Sequence, residues 1–264
     1  MNAGAELKSC CVAAYESDFA RLLLGDSFHP GGLALTEHLG ELLALSPRDR
    51  VLDVASGRGD SAIFLAGRFG CSVTGIDFGQ TNIAEARLRA ESANVADLVR
   101  FERGDAERLD APDATFDVVL CEWAYCTLPD KPAAAREFVR VLGPGGRLGL
   151  SDLTRSGVLP SELNGLFAWI ACIGDARAAG EYAAHLELAG FQSVSIETHD
   201  DALAQMVRDI QGRLLAAELM VGLEKLNLPG VDFQEAKTMA VCAASAVRSG
   251  LLGYSLLTAA KPCG

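Results

Sequence analysis

The stretch of residues 51–60 constrains the fold of this chain more than any other. It begins with a short apolar run that is typical of a buried strand, and it continues through a turn that contains Gly57 and Gly59. Apolar residues at helical spacing follow. This order is typical of a nucleotide-binding fold, because glycines let backbone N–H groups approach a ligand in front of a helix N-terminus. A second strand pattern ends at Asp77, where a carboxylate would accept hydrogen bonds from ribose hydroxyls.

The glycine turn alone does not decide which adenosine ligand is bound. Residues 57–62 also satisfy the pattern G-x-G-x-x-A of dinucleotide-dependent dehydrogenases. Three later segments are informative: a strand pattern that runs into Gly104-Asp105-Ala106, a strand pattern over 116–121, and a glycine turn that leads into a strand over 143–152. In this order and spacing, the five segments resemble the class I S-adenosylmethionine (SAM)-dependent methyltransferases, over about residues 30–200 and 252–262. The segment Gly104-Asp105-Ala106 and the terminal strand argue against an oxidoreductase.

The pattern of elements and the resemblance together predict the fold. Strands alternate with helices, which implies a parallel sheet covered by helices. The resemblance implies an α/β, Rossmann-like, doubly wound and mostly parallel seven-stranded sheet with an antiparallel last strand. Residues 1–32 are predicted to be an N-terminal helical cap and residues 33–264 the methyltransferase domain, with a helical insertion at 201–250. The predicted strands are 51–54, 71–76, 99–103, 116–121, 147–152, 193–197 and 254–260, and the predicted helices include 13–24, 60–69, 80–92, 131–142, 178–189 and 232–247.

The resemblance also implies which residues bind SAM. The residues expected around its methionine part are Asp53, Ala55, Gly57 and Gly59. Asp77 is expected on the ribose, Phe78 on the adenine ring, and Asp105 with Ala106 at the adenine amino group; the alternative for Asp77 is a strand-end cap. Ala55 departs from the family pattern, which usually has a glycine there.

Two segments are candidates for the methyl acceptor site. Glu122, Trp123 and Tyr125 follow the fourth strand, where the family usually meets its acceptor. Glu122 would contact the sulfonium or act as a base, and the two aromatic residues would either wall a pocket or pack against the insertion. His29 lies in a turn rich in glycine and proline that either closes over the methionine end of SAM or only connects two helices, and it is a second candidate base. The insertion at 201–250 would form a substrate lid, a packing element or a dimer surface.

The cysteines suggest a sharper hypothesis. Cys172 lies in a stretch that resembles the arsenite methyltransferases, and Cys10 and Cys11 lie in a segment expected to fold over the cofactor. Thiolates are soft ligands that would hold As(III) without any general base. Ala62 occupies a position where those enzymes carry a cysteine, so Cys242 or the pair at 10–11 would have to compensate. The alternative is that these cysteines are small buried hydrophobic residues.

Charge and composition limit the acceptor class. The formal net charge is −12, and the chain contains no run of Lys or Arg, so phosphate backbones and anionic membrane surfaces would be repelled. No apolar stretch of about 18 residues and no signal core is present, and a cytoplasmic protein with reduced thiols is expected. We therefore expect a monomer or homodimer that binds neither nucleic acid nor membrane and acts on a small-molecule or metalloid substrate.

Three functions remain open at this point. The first is methyl transfer to a thiol-bound metalloid such as arsenite. The second is O-, N- or C-methylation of a small organic, natural-product-like molecule. The third is a dinucleotide-dependent oxidoreductase or a SAM-binding protein without activity.

Overall fold

The computed structural model describes residues 3–25, 28–163, 173–229 and 231–263. The helices are α1 (Ala3–Tyr15), α2 (Asp18–Leu24), α3 (Gly32–Leu42), α4 (Asp60–Phe69), α5 (Gln80–Ser92), α6 (Lys131–Val141), α7 (Ala179–Ala189), α8 (Asp200–Gly222) and α9 (Phe233–Arg248). The strands are β1 (Arg50–Val54), β2 (Ser72–Asp77), β3 (Val99–Arg103), β4 (Phe116–Glu122), β5 (Leu142–Arg155), β6 (Gln192–Thr198) and β7 (Leu252–Ala260).

The strands form one sheet in the order β3-β2-β1-β4-β5-β7-β6. The first five strands in this order are parallel, and β7 is antiparallel to both β5 and β6. This arrangement confirms the predicted fold. The chain builds outward from β1 in both directions, so the strand order reverses between β1 and β4. Ligands of open α/β sheets bind in the crevice at such a reversal, beyond the carboxyl ends of the strands.

The central strand is buried on both faces. Residues 51–54 of β1 are all buried, as expected for a parallel strand that is covered on both sides. The turn after β1 packs closely against the side chain of Phe101 on β3. A Cβ on Gly59 would lie 2.5 Å from the ring of Phe101, and the φ angle of Gly59 is +80°. Glycine is therefore required at this position by both packing and backbone conformation.

The structure corrects several predicted boundaries. Helix α1 begins at Ala3, and the predicted helix over 13–24 is two helices, because Ser17 accepts a hydrogen bond from the N–H of Ala20 and starts α2. Strand β5 is longer than predicted because its pairing with β7 continues to Arg155. These differences arise from capping and from tertiary pairing, which the apolar pattern alone does not report.

Helices α8 and α9 occupy the segment between β6 and β7. Their apolar faces are buried, through Leu203 and Leu214 on α8 and Ala243 and Val247 on α9. Helix α2 packs against α8, where the Arg213 guanidinium donates a hydrogen bond of 2.7 Å to the carbonyl of Leu23. No helix within the described ranges is long and apolar enough to cross a membrane.

Candidate active site

A cavity of about 170 Å³ lies beyond the carboxyl ends of β1, β2 and β4. Most of the predicted site residues line it: His29, Asp53, Ala55, Gly57, Asp77, Phe78, Asp105, Ala106 and Glu122, together with Cys11. Gly59 and Cys10 do not line it; Gly59 instead packs on Phe101 behind the turn. The structure thus brings residues from four predicted strand ends into one cavity.

Asp77 organises the glycine turn. One carboxylate oxygen accepts hydrogen bonds from the N–H of Gly79 (2.7 Å) and the amide of Asn82 (3.1 Å), and the other accepts the N–H of Gly57 (2.9 Å). A carboxylate has about four acceptor positions, so capacity remains for a ligand hydroxyl. The predicted contact with ribose stays a prediction, and the observed bonds show that Asp77 also caps the strand end.

The backbone of the turn is shaped for close approach of a ligand. Ala55, which stands where a glycine is usual, has a φ angle of +58°. Gly57 has a φ angle of +52°, and no atom lies within 4 Å of the place a Cβ would take. A side chain at Gly57 would therefore project into open space at the cavity wall rather than into the protein core.

Three buried carboxyl groups make the cavity electronegative. Asp53, Asp77 and Glu122 are each less than 10% exposed. Burial raises the pKa of Asp53 well above its usual value, and the charges of Glu122 and Asp77 raise it further. Burial also raises the pKa of Asp77. One oxygen of Asp53 has no hydrogen-bond partner among the described residues, although the N–H of Ala62 donates to the carboxylate. A cation bound in the cavity would offset the mutual repulsion of these buried carboxylates.

The N-terminal helix α1 closes one side of the cavity. The Lys8 ammonium donates hydrogen bonds to both oxygens of Asp105 (2.7 and 2.9 Å) and to Glu107 (2.5 Å). Burial alone would lower the pKa of Lys8, but the hydrogen bonds and charges of these two acids outweigh it and raise the pKa. The position of Lys8 in the site could not be predicted from the sequence, because its acidic partners lie about a hundred residues further along the chain.

Glu122 and His29 belong to one buried polar network. Glu122 accepts hydrogen bonds from the hydroxyls of Ser61 (2.6 Å) and Thr36 (3.1 Å). The Thr36 hydroxyl also lies 3.3 Å from Nε2 of His29, and that nitrogen is 3.9 Å from Glu122. Nδ1 of His29 lies 3.3 Å from the carbonyl oxygen of Pro30. The two predicted candidate bases are thus neighbours on the cavity wall.

A second cavity of about 210 Å³ lies between α2, α8 and α9. Its lining is almost entirely aliphatic and aromatic, and includes Leu24, Met206, Ile210, Leu214, Met239, Ala243 and Val247. This cavity is not predicted by the sequence. The apolar spacing on α8 was visible, but the space between helices depends on how they pack.

Tyr15 and Trp123 line both cavities and separate them. The indole N–H of Trp123 donates a hydrogen bond of 3.2 Å to the Tyr15 hydroxyl, and the indole packs on Tyr254 at 5.6 Å. Trp123 has a φ angle of +55°, a strained conformation for a bulky residue. Tyr125, by contrast, lines neither cavity; it is a core residue that donates a hydrogen bond to the carbonyl of Lys131 and packs on Phe138 and Tyr182.

The thiol site predicted for a metalloid receives no support from the described residues. Cys10 is exposed and Cys11 is buried, so the adjacent thiols lie in different environments. Cys172 lies outside the described residues. Within the described ranges, no group of three metal-ligating side chains includes a cysteine. Convergence of the three thiols therefore stays a prediction.

Comparisons with known proteins agree with this geometry. The family model for a methyltransferase domain matches residues 51–146. The 27-O-demethylrifamycin SV methyltransferase of Amycolatopsis mediterranei is 35% identical over 86% of this chain and 83% of its own length. Phosphoethanolamine N-methyltransferase 3 of Arabidopsis thaliana is 32% identical over 77% of this chain, which spans only 40% of that protein. The cyclopropane synthase MmaA2 of Mycobacterium tuberculosis shares the fold, with a TM-score of 0.83 at 14% identity over 99% of this chain and 100% of that one.

Proposed function

Because this chain belongs to the class I SAM-dependent methyltransferases, we propose that it methylates an oxygen atom of a small, largely apolar organic molecule. The observation that carries the proposal is the apolar cavity, which shares Tyr15 and Trp123 with the cavity at the glycine turn. An acceptor held by α8 and α9 would present its reacting end at this shared wall. The relative that acts on 27-O-demethylrifamycin SV supports an oxygen acceptor.

The residues of the first cavity fit SAM. The open space beside Gly57 permits close approach to the backbone, and the unpartnered oxygen of Asp53 among buried acids suits a cation. In this assignment Asp53, Ala55, Gly57 and Glu122 surround the methionine part, Asp77 the ribose, and Phe78, Asp105 and Ala106 the adenine. When bound, SAM supplies an electrophilic methyl group on a positively charged sulfur.

His29 is the best-placed base for a hydroxyl acceptor. In the tautomer that donates from Nδ1 to the Pro30 carbonyl, Nε2 carries the lone pair that accepts the acceptor's proton. Glu122, at 3.9 Å, then stabilises the imidazolium that forms. The bulky walls Tyr15 and Trp123 exclude water and restrict the approach of the acceptor.

The metalloid alternative has weaker support. It requires thiols that the described residues do not bring together, and no cysteine lines the apolar cavity. The Arabidopsis relative is named for an amine acceptor, but an almost uncharged cavity would hold a phosphorylated amine poorly.

A methyl-transfer assay tests the proposal. The protein is incubated with SAM labelled on its methyl group and with 2-naphthol, phosphoethanolamine or arsenite plus a thiol, and the labelled products are identified. Label is expected on the naphthol oxygen, and His29→Ala should reduce kcat by about 10²–10⁴-fold, the usual range for a positioned base, while SAM affinity stays within twofold. His185→Ala, which removes a histidine outside both cavities, is the matched control. Label on arsenite alone would favour the metalloid function instead.

A further inference from the structure

Three metal-ligating side chains meet on the surface away from both cavities. His38 lies on α3, Glu197 is the penultimate residue of β6, and His199 precedes α8. Nε2 of His38 is 2.8 Å and Nε2 of His199 is 2.9 Å from the same carboxylate oxygen of Glu197. One ligand atom from each of the three residues lies within 4.8 Å of the other two. None of them lines either cavity.

The donor set matches the chemistry of a borderline-soft divalent cation. Two imidazoles and one carboxylate bind Zn²⁺ with bond lengths of about 2.0–2.2 Å, and a water molecule commonly completes the tetrahedron. Ligand atoms at about 2.1 Å from a tetrahedral centre lie roughly 3.4 Å apart. The observed contacts are therefore contracted by about half an ångström, so small side-chain movements would open the cluster around an ion.

The backbone holds these residues in place before any ion binds. Glu197 and His199 are two residues apart at the end of a strand, so their side chains point to the same face. Glu197 pairs with Leu256 of β7, and the N–H of His199 donates a hydrogen bond of 2.7 Å to the carbonyl of Tyr254. His38 comes from a helix whose opposite face is buried. Ligands on ordered elements lose little conformational freedom on binding, which favours affinity.

Solvent reaches the cluster from the side of His38 and Glu197. The side chains of His38, Glu197 and His199 are 38%, 44% and 21% exposed. Although Nε2 of His199 is itself buried, an ion can approach from the exposed His38 and Glu197 side, and its remaining positions can hold water. With neutral imidazoles, the carboxylate gives the cluster a charge of −1, which attracts a divalent cation.

We propose that His38, Glu197 and His199 form a surface Zn²⁺ site that joins α3 to β6 and to the start of α8. The ion replaces the hydrogen between the His38 imidazole and the Glu197 carboxylate, and it links the helix before β1 to the helical pair that lines the apolar cavity. This site is independent of the methyl-transfer site, and its test does not depend on the acceptor.

Zinc titration of the tag-free, metal-stripped full chain tests the site. Calorimetry is expected to give one Zn²⁺ per chain with a micromolar or lower Kd, and the Tm should rise on zinc addition. His38→Gln, Glu197→Gln and His199→Gln should each weaken binding at least tenfold. His185→Gln should leave Kd unchanged, because His185 lies outside the cluster. The Tm of each metal-free variant shows whether it is folded.

Cobalt spectroscopy separates this site from binding to thiols. Co²⁺ at the cluster should show the visible absorption of a tetrahedral nitrogen and oxygen site, without a sulfur-to-metal charge-transfer band. A Cys10→Ser, Cys263→Ser double variant removes two exposed thiols and should bind zinc as the parent does. The proposal is overturned if the parent protein does not bind zinc, if binding survives the ligand substitutions, or if the thiol substitutions abolish it.

Discussion

The two cavities of this protein are neighbours built on opposite principles. The cavity at the glycine turn combines buried acids with apolar side chains, and most of its parts come from the turns that follow β1, β2, β3 and β4. The apolar cavity is walled mainly by side chains of α2 and of the consecutive helices α8 and α9, which lie at opposite ends of the chain. A site built on strand ends is fixed by the sheet register, whereas a site built between helices is set by packing. The first suits an invariant cofactor and the second a variable acceptor.

The largest effect is expected from a substitution that removes the carboxylate organising the cavity at the glycine turn. Asp77→Ala should weaken SAM binding at least a hundredfold, because two charge-assisted hydrogen bonds of about 1.5–3 kcal/mol each are lost. Binding of 2-naphthol should hardly change if the cavities are independent. Calorimetry with each ligand measures both effects. Asp117→Ala, which removes an exposed acid paired with Arg50 far from the turn, is the control. Unchanged SAM affinity would make Asp77 a strand-end cap only.

A substitution that fills the apolar cavity tests the same independence from the other side. Ala243→Phe places a ring among the apolar side chains, and the loss of about 2 kcal/mol of acceptor contact should weaken 2-naphthol binding about thirtyfold. SAM affinity should stay within twofold. Ala216→Phe adds the same ring on the exposed face of α8 and controls for the substitution itself. If SAM binding also fell strongly, the two cavities would be energetically coupled through Tyr15 and Trp123.

A smaller effect concerns the charge of the first cavity. Burial and the neighbouring charges of Glu122, Asp77 and Asp60 raise the pKa of Asp53, and only the N–H of Ala62 opposes them. A bound cation favours the ionised carboxylate, so binding lowers this pKa and releases a proton. SAM affinity should therefore rise with pH through the raised pKa of Asp53, by at most about tenfold per pH unit for one proton.

The pH dependence is measured by calorimetry across pH 5–9. Asp53→Asn should flatten the profile, and S-adenosylhomocysteine, which lacks the sulfonium charge, should show a shallower slope than SAM. A slope that persists in Asp53→Asn would assign the proton to another group. Naphthol binding should not vary with pH in this range below the pKa of its hydroxyl, which sharpens the contrast between the cavities.

The smallest expected effect tests the departure from the family pattern. Ala55 holds a left-handed backbone conformation that costs an L-residue about 1–2 kcal/mol. Ala55→Gly relieves this strain but gives the unfolded chain more freedom, worth about 0.4–1 kcal/mol. We expect a gain in stability of between zero and about 1.6 kcal/mol, measured by urea unfolding, and unchanged acceptor binding. A clear loss of stability would show that the Ala55 methyl makes favourable contacts.

The same contrast explains which features the sequence could predict. The meeting of Gly57, Asp77 and Asp105 at one cavity could be predicted, because parallel strands bring their carboxyl ends to one edge of the sheet. The ion pairs of Lys8 could not be predicted, because its partners Asp105 and Glu107 are distant in the chain. Trp123 was found as an aromatic residue after β4, but its place between two cavities depends on Tyr15 of α1 and on the packing of the helices.

The connection of α8 and α9 to the sheet has a consequence for how such a protein diversifies. The helical pair leaves the sheet after β6 and returns directly into β7, and these two strands pair with each other. The two ends of the segment therefore lie close together at the same edge of the sheet. Exchange of residues 200–250 with the corresponding helices of a relative would replace most of the apolar walls and leave the strand register and the glycine turn intact. If the apolar cavity holds the acceptor, as we propose, new acceptor preferences can arise here through mutation or recombination without rebuilding the methyl-donor site.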